Sequence, residues 1–138
     1  MTPAGTANSA SRKRSVVPVA SPAVLEIQPE RFEELVGEAL DGIPGALASK
    51  MDNVAVVVRT HGGDPHLLGL YEGIPLTERA DYGVGGVLPD RITIFREAIL
   101  RTCRTEADVV EQVRVTVVHE VGHHFGLDDD RLRELGWA

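Results

Sequence analysis

The sequence predicts an α+β domain in which a small β-sheet packs against one long helix, with further helices around them. Three observations lead there. Short apolar runs at VAVVV (54–58), LLGLYE (67–72) and RITIF (91–95) are strand-sized and bounded by turn residues. A valine-rich segment from about 106 to 125 repeats at helical spacing. A second helical repeat, Phe32, Leu35, Val36, Ala39 and Leu40, precedes all three runs.

Composition narrows the class. With 138 residues, 43% hydrophobic and 25% charged, the chain suits one soluble globular domain. No apolar run approaches membrane-spanning length, and the N-terminal region offers only VVPVA where a secretory signal needs a longer apolar stretch. Cys103 is the single cysteine, which excludes an internal disulfide and fits a reducing compartment, so a cytoplasmic protein is expected. The first 23 residues hold Arg12, Lys13 and Arg14 and no acids, so the rest carries −10 against a whole-chain −7. A body that acidic repels phosphate backbones, and neither nucleic acid nor membrane is an expected partner.

Residues 1–23 are rich in small and polar residues without a hydrophobic period, and read as a disordered tail. Residues 24–138 read as a single domain. The first helix should span about 29–41, with Pro29 in its first turn, acids in its N-terminal half, and Gly42 and Pro44 ending it. VAVVV reads as a strand buried on both faces. In the following loop, His61 and His66 have no matching cluster nearby and read as surface residues rather than a second metal site. RITIF alternates, Ile92 and Ile94 to one side and Arg91, Thr93 and Phe95 to the other. It is the expected sheet edge for an extended peptide. ADYGVGGVLPD (80–90) lacks the lysine and spacing of a phosphate loop and reads as a flexible connection. Its Tyr82 could donate to an oxyanion or be an ordinary loop tyrosine. A short helix should follow at 96–101.

Thr105 has the character of a helix cap, with Glu106 and Asp108 in the first turn. Along the helix that follows, Val110, Val113, Val117, Val118, Val121 and Phe125 project as a core stripe. His119 and His123 project from the opposite face with Gln112 and Thr116, Glu120 lies on a flank, and His124 points into the valine arc. Histidines four apart can bind one metal ion, and the glutamate between them can reach an activated water. Gly126 lets the helix stop and the chain reverse, which could bring up Asp129 as a third ligand. Asp128 and Asp130 would point elsewhere in a regular turn, and all three acids also suit a helix start. Leu132, Leu135 and Trp137 should pack back in a last short helix or turn. The pattern points to a mononuclear zinc hydrolase site.

HExxHxxGxxD, formed by His119, Glu120, His123, Gly126 and Asp129, resembles the extended zinc signature of the metzincin clan. In that clan the third ligand is usually histidine and in some members aspartate. With the lead-in VRVTVVHEVGHHFGLDDD and the segment LLGLYEGIPLTER, the chain is similar to short bacterial zincin-like metallopeptidases from about Val24 onward. The resemblance implies a minimal zincin-like domain, a small mixed β-sheet packed against an active-site helix. It implies zinc held by His119, His123 and Asp129, Glu120 as general base, and a peptide or protein substrate. The clan's downstream methionine turn has no counterpart, since Met1 and Met51 both precede the motif, and nine residues follow Asp129. Three functional readings follow. One is a zinc-dependent metallopeptidase; the second is a catalytically weak or inactive zinc-binding module acting in peptide binding or regulation; the third is a structural helix whose histidines bind nothing, which their projection away from the apolar stripe disfavours.

Overall fold

The computed structural model describes residues 25–73 and 89–137; the expected tail at 1–23 and most of the 80–90 connection, Tyr82 included, lie outside the described residues. The first helix, α1, spans Pro29–Asp41 and buries Phe32, Leu35, Val36 and Ala39. Its length and its apolar face agree with the sequence pattern. A one-turn helix, α2 (Gly45–Ala48), and a 3₁₀ turn at Ser49–Met51 follow, and the sequence reading did not anticipate either. Leu47 holds this turn to the core at 0% exposure.

Three strands form one mixed sheet: β1 (Val54–Arg59), β2 (Gly69–Glu72) and β3 (Asp90–Phe95), in the order β1-β3-β2. β3 runs parallel to β1 and antiparallel to β2. Two expectations reverse here. VAVVV is not buried on both faces: among the described residues β1 is an outer strand of the sheet, and its valines are half-buried. RITIF is not an edge: β3 is central, and Ile92, Thr93, Ile94 and Phe95 are all buried. The physical reason is pairing. A strand flanked on both sides is shielded whatever its sequence alternation, and Thr93 is tolerated inside because its neighbours complete the ladder. β3 therefore has no free backbone edge to offer a peptide. Among the described residues, the outer strands are β1 and β2.

β3 leads directly into α3 (Arg96–Arg101), which buries Ala98, Ile99 and Leu100. The long helix α4 (Glu106–His124) begins at a full capping box. Thr105 Oγ1 accepts from Asp108 N at 3.1 Å, and the Asp108 carboxylate accepts from Thr105 N at 3.2 Å. Its buried face carries Val109, Val113, Thr116 and Val117 early, then Val118, Val121 and Gly122. That drift changes two assignments: Val110 is only half-buried, and Phe125, the C-cap residue, is 41% exposed. The helix packs on α1, the sheet and the chain's last helix, so its apolar face turns with its neighbours. That last helix, α5 (Asp129–Glu134), seats Leu132 at 0% exposure. No helix among the described residues is long and apolar enough to cross a membrane.

The strand order can be tested by two deletions. Ile94→Ala should cost about 2–5 kcal/mol as a buried deletion. Val57→Ala, half-buried on an edge, should cost about 0.8 kcal/mol; urea unfolding with the two costs reversed would refute the strand order. A second test concerns acid. Asp108 is held below the usual carboxylate range, chiefly by the backbone N–H of Arg104 at 2.9 Å and then that of Thr105, with desolvation opposing. A depressed folded pKa gives stability that is present above the unfolded value and fades as pH falls through the folded one. Asp108→Asn should therefore melt lower than wild type at neutral pH, with the gap closing below the carboxylate range.

Candidate metal centre

The site is built on the way α4 ends. Phe125 is the C-cap and Gly126 follows at φ 86°, a left-handed conformation that glycine adopts without steric cost. Gly126 N donates to His123 O at 3.0 Å and Leu127 N to Gly122 O at 2.8 Å, the paired bonds of a Schellman turn. The chain reverses, and Asp128 caps α5 by accepting from Arg131 N at 2.8 Å. Leu132 then lies on Gly122, where an added Cβ would meet Leu132 Cδ2 at 2.8 Å. A second turn of the same kind closes α5 at Gly136, φ 76°, with Trp137 N donating to Leu132 O at 2.9 Å.

This geometry separates the three aspartates. Asp128 is the cap, and Asp130 pairs with Arg133 on the surface. Asp129 turns back toward α4. Its Oδ1 lies 3.1 Å from His119 Nδ1 and 2.9 Å from His123 Nε2. The two imidazoles sit one turn apart with ring centroids 4.0 Å from each other. Each of the three residues offers one donor atom, and all three atoms lie within 4.8 Å of one another. Zinc bonds of about 2.0–2.2 Å in a tetrahedron place donor atoms about 3.3–3.5 Å apart. The two spacings to Asp129 are a few tenths of an ångström shorter, so these side chains fit zinc with a small outward shift of the carboxylate. All three are roughly half-exposed.

Glu120 faces a different neighbour. On the helix it projects between Val109 and Val113, about 20° from each at 100° per residue, so it continues the sheet-facing side beyond the core. There it meets β2: Tyr71 N donates to Glu120 Oε1 at 3.3 Å. Tyr71 is paired in register with Ile92, and its amide points away from the ladder, toward α4. The side chain of Tyr71 anchors the same strand. Its ring stacks on His124, centroids 3.9 Å apart and planes 19° from parallel, and its hydroxyl donates to Asp90 Oδ2 at 2.7 Å. His124, expected to point into the valine arc, does face the sheet side, but over Tyr71 rather than over the core. Tyr71 and Asp90 carried no signal in the sequence, because their roles depend on a strand pairing that brings residues 19 apart together. His61 and His66 stay in their exposed loop, away from the cluster.

Close approach makes the β2–α4 contact possible. At Gly69, a Cβ would lie 2.7 Å from Thr116 Cγ2 and 3.1 Å from Thr93 O. Only a residue without a side chain lets the strand lie so near the helix.

With this geometry, the chain can be set beside known proteins. A family model described as a zincin-like metallopeptidase matches residues 50–137. The chain belongs to that family. The match takes in the sheet, α4 and the turn to α5, and leaves α1 outside it. Among solved structures, the chain is similar to a conserved hypothetical protein from Thermo thermophilus, at 22% sequence identity and a TM-score of 0.47, over 71% of this chain and 94% of that one. No curated protein matches it. Zinc is the metal that the zincin family implies, and the two imidazoles and one carboxylate brought together here are a donor set suited to it.

Gly69→Ala should destabilise the fold by about 1–3 kcal/mol through overpacking against α4. Adding Thr116→Ser removes the clashing methyl and should restore part of that loss. Denaturant titration of the single and double variants checks it, and strict additivity would show that the two groups do not touch.

Proposed function

We propose that the protein is a zinc-dependent peptidase in which His119, His123 and Asp129 hold the metal and Glu120 is the general base. The observation that carries this reading is the placing of Asp129 Oδ1 2.9–3.1 Å from His123 Nε2 and His119 Nδ1, all three donors lying within 4.8 Å of one another, with Glu120 beside His119. Half-exposed donors favour a catalytic site over a closed structural one, since a catalytic zinc keeps a position open. When bound, zinc supplies Lewis-acid chemistry: activation of water near neutral pH and polarisation of the scissile carbonyl.

The chain's own residues supply the rest. Glu120 takes the proton of the attacking water and delivers it to the departing amine. The Tyr71 amide fixes one oxygen of that carboxylate at the edge of β2. An extended peptide running alongside β2 would pass directly beside Glu120. Substrate and base are thereby referred to one strand. The substrate is a peptide or protein, and a cytoplasmic setting remains the expectation from the single cysteine, which is buried.

Metal analysis and turnover test the reading together. Purified protein should hold about one zinc per chain, lost in His123→Ala. Glu120→Gln should keep the zinc and lose activity on a peptide library by about 100-fold or more. Zinc with no turnover in the wild type would favour the alternative, a zinc-holding module that binds peptides without cutting them. Absence of zinc after reconstitution would overturn both.

A further inference from the structure

One residue of β2 holds that strand to the turn of α4 that carries Glu120. Alternate side chains of a strand face opposite sides, so Gly69 and Tyr71 share the side turned to the helix, and Leu70 and Glu72 share the other. Gly69 has no side chain, which leaves Tyr71 as the β2 side chain that reaches α4. On α4, Glu120 and His124 stand one turn apart on the same side. Tyr71 meets both. Its N–H donates to Glu120 Oε1 at 3.3 Å, and its ring lies on the His124 ring, centroids 3.9 Å apart and planes 19° from parallel. The Tyr71 hydroxyl donates to Asp90 Oδ2 at 2.7 Å, and His124 Nε2 stands 3.8 Å from the same oxygen. His124 also covers the end of the strand, where a Cβ on Gly73 would meet its Cε1 at 3.7 Å. Neither the core nor the metal cluster accounts for this histidine: its side chain is 38% exposed, and it is not one of the three clustered donors.

We propose that His124 is a positioning residue for Glu120. By stacking on Tyr71 it keeps the Tyr71 N–H on Glu120 Oε1, and so sets the carboxylate that takes the proton of the attacking water. The inference rests on the peptidase reading above and adds to that site a residue outside the metal set. The hydrogen bond needs such support. At 3.3 Å it is longer than the commonest N–H···O distance of about 2.9–3.0 Å. It also joins a strand of four residues to a side chain on another element. Pairing with β3 fixes where β2 lies along the ladder, but not how far it stands from α4. The ring stack fixes that distance, and it does so at the turn that carries the base. Asp90 holds the far end of the Tyr71 ring, so the ring keeps its face to His124. Among the described residues, Glu120 Oε2 accepts no hydrogen bond from the protein, so the clamp restrains one oxygen and leaves the other for proton transfer. The role calls for the flat face of the ring and not for its charge, so a phenylalanine can fill it.

Amide hydrogen exchange on the full-length chain supplied with zinc tests this without a substrate. The Tyr71 N–H should exchange about tenfold faster in His124→Ala than in the wild type, near the upper end of what one aromatic stack contributes, and His124→Phe should return it to within about twofold. Zinc content, and exchange at Val117 in the core of the same helix, should match the wild type in both variants. Turnover should follow the same order, measured on one peptide chosen from a quenched-fluorescent library that the wild type cuts. His124→Ala should lower kcat by about tenfold with KM unchanged, and His124→Phe should restore it. A Tyr71 N–H that exchanges freely in the wild type, a rate indifferent to His124→Ala, or a loss that phenylalanine does not repair would overturn the proposal. Equal acceleration at Tyr71 and Val117 would overturn it as well, because the whole fold would then have loosened. Exchange as expected in a wild type that cuts no peptide would overturn the peptidase reading alone and leave the hold of His124 on the Tyr71–Glu120 contact standing.

Discussion

The left-handed turn at Gly126 is the constraint on which the candidate centre depends. Two histidines on a helix face are common; what turns them into a three-donor cluster is the return of the chain within three residues. Glycine makes that return possible, because a side chain at φ 86° would be strained. The reversal is then locked from below, where Leu132 rests on the bare backbone of Gly122. A larger residue at either glycine would swing α5 outward and carry Asp129 with it. The aspartate is therefore placed by backbone geometry and apolar packing, and its own contacts to the imidazoles only complete the arrangement.

The second organising feature is the division of labour along α4. It buries valines against α1, the sheet and α5, and near its C-terminus Gly122 lies under Leu132. Where the face changes direction, the positions released from core duty carry Glu120 and His124, and both look onto β2. Tyr71 ties the three elements together. Its amide reaches Glu120, its ring covers His124, and its hydroxyl reaches Asp90 at the start of β3. Across the same ladder, Arg91 pairs with Glu72 at 2.9 Å, so the end of β2 is held from both faces.

Much of this was legible in the sequence, and the parts that were not share a cause. Helix limits at 29–41 and 96–101, the Thr105 cap and the turn at Gly126 all follow from signals within a few residues, and each agrees with the structure. So does the small mixed sheet of an α+β domain. The roles of VAVVV and RITIF were exchanged because alternation and apolar runs report burial only indirectly. Strand order decides burial, and order is set by pairings between residues 19 to 36 positions apart. The same holds at the site. His119, Glu120, His123 and Asp129 are marked by local spacing, whereas Tyr71 and Asp90 become meaningful only once β2 and β3 lie side by side. The one-turn helix at 45–48 carries no sequence signal, because Gly-Ala-Leu-Ala is too short to show a period.

The span of the Tyr71–Glu120 hydrogen bond has a consequence for how the molecule can fail. The histidines and Asp129 are joined by a closure of ten residues, while Tyr71 and Glu120 are 49 apart. Loop entropy makes the longer closure costlier by about 1.4 kcal/mol, before the cost of ordering the sheet is counted. The two halves of the site thus differ in resilience. Damage to the sheet leaves the donor cluster within reach of itself but sets Glu120 adrift from its strand. A partly unfolded chain would keep the three donors within reach of one another after losing the strand contact of Glu120, so an assembled donor cluster alone is a poor gauge of whether this protein is intact.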